Sequence, residues 1–217
     1  YKHVDFIARP FVSSLSGSSG IGRHVNDLSL CQTKVSCQPC RGELTVKHLF
    51  LIRHAKSSWD SDNLSDKDRP LNPRGEQQLA PLGRALLRYG AMAGEIHASP
   101  ALRAQQTLKG ILPSSISEAQ IYTNPELYTF DYRRLLQWLQ NCDDQAQTLA
   151  IVGHNPALME LAATLVPHAP FELPTASFIH IRLPIKHWRK LGNREGRLET
   201  FLTPVDFSFE AFKRKNQ

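Results

Sequence analysis

The chain has 217 residues, 41% of them hydrophobic, and carries 26 Lys and Arg against 20 Asp and Glu, for a net charge of +6 and a pI near 9.3. That is enough apolar material to bury the core of one α/β domain with a tail, and no run approaches the ~18–20 apolar residues of a membrane-spanning helix. The cationic residues are scattered, so neither nucleic acid nor membrane is an expected partner, and the surplus charge reads as a mild bias toward anionic substrates. Of the four cysteines, Cys37-Gln38-Pro39-Cys40 resembles half a zinc site. No second Cys pair or closely spaced His pair follows, so Cys31, Cys37, Cys40 and Cys142 read as ordinary thiols in a reducing compartment.

Residues 1–45 are rich in Ser and Gly and lack sustained periodicity, so a disordered or non-native extension is expected there. Two readings compete: a transit segment, or upstream sequence in front of a working domain that begins near Val46. The second is preferred, because no basic amphipathic helix can be drawn through the segment, and it places the protein in the cytoplasm; the first, the alternative, would place it in an organelle. From Lys47 short apolar runs alternate with amphipathic stretches, the pattern of a mostly parallel sheet covered by helices in a three-layer α/β/α sandwich.

Lys47 to Ile52 predicts the first strand. Asn72-Pro73 opens a helix to about Arg88, with Asn72 as N-cap and Pro73 at the first helical position. A strand over Glu95–Ala98 is followed by a helix from Ser99-Pro100 to about Ile111, then a strand over Gln120–Thr123 and a helix from Tyr132 to Asn141. Thr148 to Val152 reads as a buried strand, and Asn155-Pro156 opens a helix through Leu165. Ser177–Leu183 and Arg197–Thr203 predict an edge hairpin. The domain is expected to span 46–206, with a tail over 207–217.

Three segments carry chemistry. Arg53-His54-Ala55 ends the first strand and offers an imidazole beside a fixed cation. Ser99-Pro100-Ala101-Leu102-Arg103 places an Arg in the first turn of a helix, where its forked donors and the free helix amides suit a phosphate. Ile151-Val152-Gly153-His154-Asn155 ends another strand in Gly, read as allowing a sharp turn, and hands His154 to the sheet edge where open α/β sheets bind ligands. Two His and two Arg therefore converge on one edge.

Arg53-His54-Ala55, Ser99-Pro100-x-x-Arg103-Ala104-x-x-Thr107 and Gly153-His154-Asn155 together resemble the histidine phosphatase superfamily, with its phosphoglycerate mutase-like fold. The block Arg53 to Trp59, followed by Asp68-Arg69-Pro70-Leu71-x-x-x-Gly75, is similar to the SixA-type phosphohistidine phosphatases. One departure is Ala55, where much of the superfamily has Gly.

The resemblance implies that neutral His54 is the nucleophile, attacking phosphorus in line to give a phosphoramidate. Arg53 and Arg103 would clamp the phosphoryl oxygens and His154, protonated beside the phosphate, would add a third positive group, with no metal or cofactor required. The proton donor it points to is Glu126, with Asp131 and Asp68 as rivals. Ser57 is a further candidate phosphate binder, and Trp59 either packs the loop or lines the pocket rim. The implied substrate is a phosphohistidine-bearing protein of a signalling relay, acted on by a monomer. The alternatives are a small-molecule phosphatase or mutase and a non-catalytic phosphate-binding module.

Overall fold

The parallel core of the sheet forms around a strand that is apolar on both faces. The computed structural model describes residues 46–59, 64–115, 117, 120–170 and 172–207; the expected extension at 1–45 and most of the expected tail lie outside them. Strand β1 (Lys47–Arg53) buries Leu49, Phe50, Leu51 and Ile52 completely or nearly so, as a strand covered on both sides requires. The remaining elements are α1 (Pro73–Arg88), β2 (Glu95–Ala98), α2 (Leu102–Ile111), β3 (Ile121–Thr123), α3 (Tyr132–Gln140), β4 (Thr148–Gly153), α4 (Ala157–Leu165), β5 (Phe178–Leu183) and β6 (Arg197–Leu202).

The sheet order is β3-β2-β4-β1-β5-β6. The first four strands run parallel, whereas β5 and β6 are antiparallel. Alternation along β1 divides the core between two helical layers. Phe50 and Ile52 join Leu82 and Leu86 of α1 and Leu108 and Ile111 of α2. Leu49 and Leu51 join Leu135 and Leu139 of α3 and Leu158 and Leu161 of α4. The three-layer α/β/α architecture read from the sequence is therefore present, and β6 forms the edge of the expected hairpin. Phe207 belongs to this domain and not to a tail: it is buried and its ring stacks on Phe178 at 6.2 Å.

Register places the site. Arg53 at the end of β1 pairs with Gly153 at the end of β4, and Ala98 of β2 pairs with Val152. The ladder continues one residue further, with His54 N–H donating to the Gly153 carbonyl and Ser99 N–H to that of Val152. Three parallel neighbours thus deliver His54, His154 and Ser99 to one edge. Gly153 turns out to be an ordinary strand end. A Cβ there would meet Leu158 no closer than 3.5 Å, so the turn into His154 does not depend on glycine.

The segment after His54 folds back on itself. Ser57 bridges Leu71, Ser58 N–H donates to the Pro70 carbonyl and Asn72 N–H to that of Lys56. Asn72 also caps α1 by accepting from Gly75 N–H at 2.9 Å. Gly75 allows this approach, since a Cβ there would stand 2.1 Å from the Lys56 carbonyl oxygen. Replacing a helical Gly by Ala ordinarily stabilises by about 1 kcal/mol. Here overpacking of about 1–3 kcal/mol should win, so Gly75→Ala is expected to lower the urea midpoint and to slow turnover by shifting the loop behind His54. A rise in midpoint at unchanged turnover would contradict the close packing.

Candidate active site

His54 is buried, and its Nδ1 lies 2.7 Å from the Ala55 carbonyl oxygen. A carbonyl only accepts, so Nδ1 carries the proton and Nε2 keeps its lone pair. That lone pair faces Arg103, whose Nε–H donates to it across 3.2 Å. Burial lowers the imidazole pKa, the Ala55 bond raises it, and Arg103, Arg53 and Arg69 lower it again, leaving it at about 4. His54 is therefore neutral at physiological pH, as a nucleophile must be.

Arg103 is the hub, buried in the first turn of α2. Its Nη2 donates to Asp66 Oδ2 at 2.9 Å and lies 3.4 Å from His154 Nδ1, while Nη1 donates to the Asp66 carbonyl. An N–H pointing at Nδ1 makes that atom the acceptor, so His154 Nε2–H donates to Ser99 Oγ, 2.7 Å away. Burial, then His54 and Arg103, push the His154 pKa down to about 3. In the resting site His154 is thus neutral, chiefly because it is buried, with His54, Arg103 and Arg53 adding to the effect; the protonated form expected from the sequence is the one beside a bound phosphate. The two imidazole rings stand 5.2 Å apart.

Arg53 leaves the end of β1 and donates from Nη1 to the Leu173 carbonyl at 2.7 Å. Its Nε is buried without a hydrogen-bond partner, a donor that an incoming anion could satisfy. Helix α2 ties these parts together. Thr107 Oγ1 accepts from Ala55 N–H at 3.0 Å and donates to the Arg103 carbonyl, and Gln106 Oε1 accepts from Leu71 N–H. The Ser99 to Thr107 motif therefore sets the loop that follows His54 as well as supplying a cation.

Of the residues singled out in the sequence, His54, Arg53, Arg103 and His154 come together. Ser57 stands one layer back: its hydroxyl accepts from Arg69 Nη2 at 2.9 Å. Among the described residues Glu126 makes no side-chain hydrogen bond or ion pair with His54, Arg103 or His154; its backbone N–H donates to Asn124 Oδ1 at 3.1 Å. It is exposed on a 3-10 turn, Pro125–Leu127, whose Leu127 is buried. It lines a cavity of about 310 Å³ with Tyr128, Arg134, Gln137 and Trp138. The rival carboxylates have structural duties, Asp131 capping α3 through Arg133 N–H and Asp68 accepting from Ser65 Oγ.

Sequence reasoning missed Asp66, Arg69, Tyr128 and Phe130 as parts of the site. Arg69 is buried and donates to Ser58 O, Ser57 Oγ and Asp66 Oδ1, with its guanidinium 3.2 Å above the Trp59 ring. Tyr128 donates to Asp66 Oδ2 and sets its ring edge-on to His154, and Phe130 flanks the same imidazole at 5.7 Å. The available signal was the short acidic-basic string Asp66-Lys67-Asp68-Arg69 directly before Pro70-Leu71.

The comparisons agree with this geometry. The family model for the histidine phosphatase superfamily, branch 1, matches residues 49–133. An uncharacterized chloroplastic protein of Arabidopsis thaliana is 30% identical over 182 residues, 79% of this chain and 78% of that one. Among solved structures, a chain named for the phosphohistidine phosphatase SixA, from Nakamurella multipartitia, superposes with a TM-score of 0.62 at 26% identity, covering 74% of this chain and 97% of its own. The protein histidine phosphatase SixA complexed with tungstate gives 0.58 at 24% identity, covering 73% and 98%. A mycobacterial glucosyl-3-phosphoglycerate phosphatase shares the fold at 0.51 and 15%, covering 71% and 98%. The chain belongs to the histidine phosphatase superfamily. It is a phosphatase whose structural likeness is to the SixA type.

Holding His54 and His154 neutral has a thermodynamic consequence. Their folded pKa values, about 4 and about 3, lie below the usual 6.5, so the stability linked to them is full above pH 6.5 and is lost as pH falls toward 4 and 3. The slope per group approaches ~1.4 kcal/mol per pH unit. Urea unfolding of the unliganded protein is expected to show stability falling between pH 6.5 and 4, with a shallower fall in His154→Gln. An unchanged slope in that variant would contradict a buried neutral His154.

Proposed function

We propose that this phosphatase works through a covalent phosphohistidine at His54 and that its substrate is phosphohistidine borne by a protein. The observation that carries the mechanism is the neutral imidazole with Nδ1–H tied to Ala55 and its Nε2 lone pair held among guanidinium groups. Nε2 attacks phosphorus, the N–P bond forms and the bond to the leaving group breaks. Water then attacks the phosphoramidate and releases phosphate. Arg53 and Arg103 take the equatorial oxygens, and Ser57 contributes by holding Arg69. Bound phosphate, being anionic, favours protonation of His154, which then supplies the further positive charge. Positioning and charge do most of the work, since phosphoryl transfer asks for little covalent help.

Support for a protein substrate comes from the mouth of the site. Trp59, over Arg69, is 73% exposed and Phe130, beside His154, is 48% exposed. Two bare aromatic rings beside the phosphate position suit a flat imidazole ring projecting from a protein surface. The Arabidopsis relative is named chloroplastic, which favours the transit reading of residues 1–45 and an organellar location.

Purified protein compared on a phosphohistidine-bearing phosphotransfer domain and on small phosphomonoesters is expected to favour the protein by at least tenfold in kcat/KM. His54→Ala should be inactive on both. A preference for a small phosphomonoester would overturn the substrate assignment, and retained activity of more than a few per cent in His54→Ala would overturn the nucleophile.

A further inference from the structure

In the resting site the anion on Arg103 is the protein's own. Asp66 takes Nη1 through its carbonyl and Nη2 through Oδ2, while Arg69 and Tyr128 donate to the same carboxylate. Among the described residues it is the one carboxylate hydrogen-bonded to the cations around His54. It is also half-open to solvent, its side chain 43% exposed, on a 3-10 turn (Asp66–Asp68) between the Ser58–Pro70 strap and the N-terminus of α2. An acid or base for phosphoryl transfer belongs in such a place: on the solvent side of the guanidinium that will hold the phosphoryl group, facing the nucleophile across it.

We propose that Asp66 is the catalytic proton-transfer residue, displaced from Arg103 by the phosphoryl group and left beside the leaving atom. This rests on His54 being the nucleophile. In the first step the His54 Nε2–P bond forms, the bond from phosphorus to the leaving atom breaks (P–N in phosphohistidine, P–O in a phosphomonoester), and the Asp66 carboxyl gives its proton to that departing nitrogen or oxygen. In the second, water attacks phosphorus, the N–P bond breaks, and the water proton returns to the Asp66 carboxylate, leaving His54 neutral. Burial raises the Asp66 carboxyl, but the hydrogen bonds from Tyr128, Arg103 and Arg69 prevail and hold it at about 2. Losing Arg103 to a bound phosphoryl group, and gaining that group's negative charge as a neighbour, both raise it toward the range a proton donor needs. Tyr128 stays as the positioning contact, because its phenol can turn from donating to the carboxylate to accepting from the carboxyl.

The first-turnover release of alcohol from 4-nitrophenyl phosphate and from β-glycerophosphate, in wild type and Asp66→Asn, separates proton donation from positioning. The nitrophenolate leaves without a proton, so Asp66→Asn should stay within about tenfold of wild type on that substrate. The alkoxide does not, and its release should fall by about 100-fold or more. Equal losses on both substrates, or none on β-glycerophosphate, would overturn the assignment. Inorganic phosphate should still raise the melting temperature of the variant; its failure to do so would mean that Asp66 builds the site, which equally overturns it. His54→Ala, run alongside, tests the nucleophile separately, since its failure to abolish turnover would indict His54 whatever Asp66 does.

Discussion

The bond between His54 Nδ1 and the Ala55 carbonyl is the contact on which the site turns. It fixes the tautomer, aims Nε2 at Arg103, and keeps an imidazole lone pair available in a pocket crowded with positive charge. The bond cannot be isolated from the sheet beneath it. Ala55 is held by Thr107 of α2, and the His54 amide extends the β1–β4 ladder through Gly153. A slip of one residue in that parallel register would turn His54 to the opposite face, so the wholly buried run Leu49 to Ile52 secures the chemistry as well as the core.

Charge balance explains the rest of the arrangement. Arg53, Arg69 and Arg103 surround two neutral imidazoles, and Asp66 is the counter-ion that makes the empty site tolerable. A phosphate dianion can replace that counter-ion without leaving any guanidinium unpaired, and it also offers an acceptor to the orphaned Arg53 Nε. Binding therefore exchanges one anion for another, which limits the desolvation cost of bringing phosphate into a partly buried pocket. The surrounding aromatic rings, Tyr128 and Phe130 against His154 and Trp59 against Arg69, add shape without adding charge.

Much of this was legible in the sequence where short-range rules act. Asn72-Pro73 marked the start of α1 because a cap and a preset φ are local, and Tyr89-Gly90 marked its end, Gly90 adopting φ 80°. His54 and His154 could be read because each directly follows a strand, and Arg103 because it lies in the first turn of the helix that follows β2; parallel strands share an edge. The misreadings lie where a side chain's direction depends on distant partners. Glu126 stood at a plausible position, but it is exposed on a 3-10 turn whose buried residue is its neighbour Leu127, and among the described residues it makes no side-chain hydrogen bond to the group around His54. Asp66 and Arg69 sit in a loop with several carboxylates, and no periodicity distinguishes the one that folds back onto Arg103. The neutral resting state of His154 was equally hidden, since it depends first on burial and then on His54, Arg103 and Arg53, all distant in the chain.

The central claim is that His54 Nε2 receives the phosphoryl group. Mixing the enzyme with ³²P-labelled substrate, quenching in denaturing alkali during turnover and mapping the labelled peptide tests it directly. The account predicts an alkali-stable, acid-labile phosphate on the peptide containing His54, absent in His54→Ala. Label on a serine or aspartate, or label at His154 with none at His54, would contradict it.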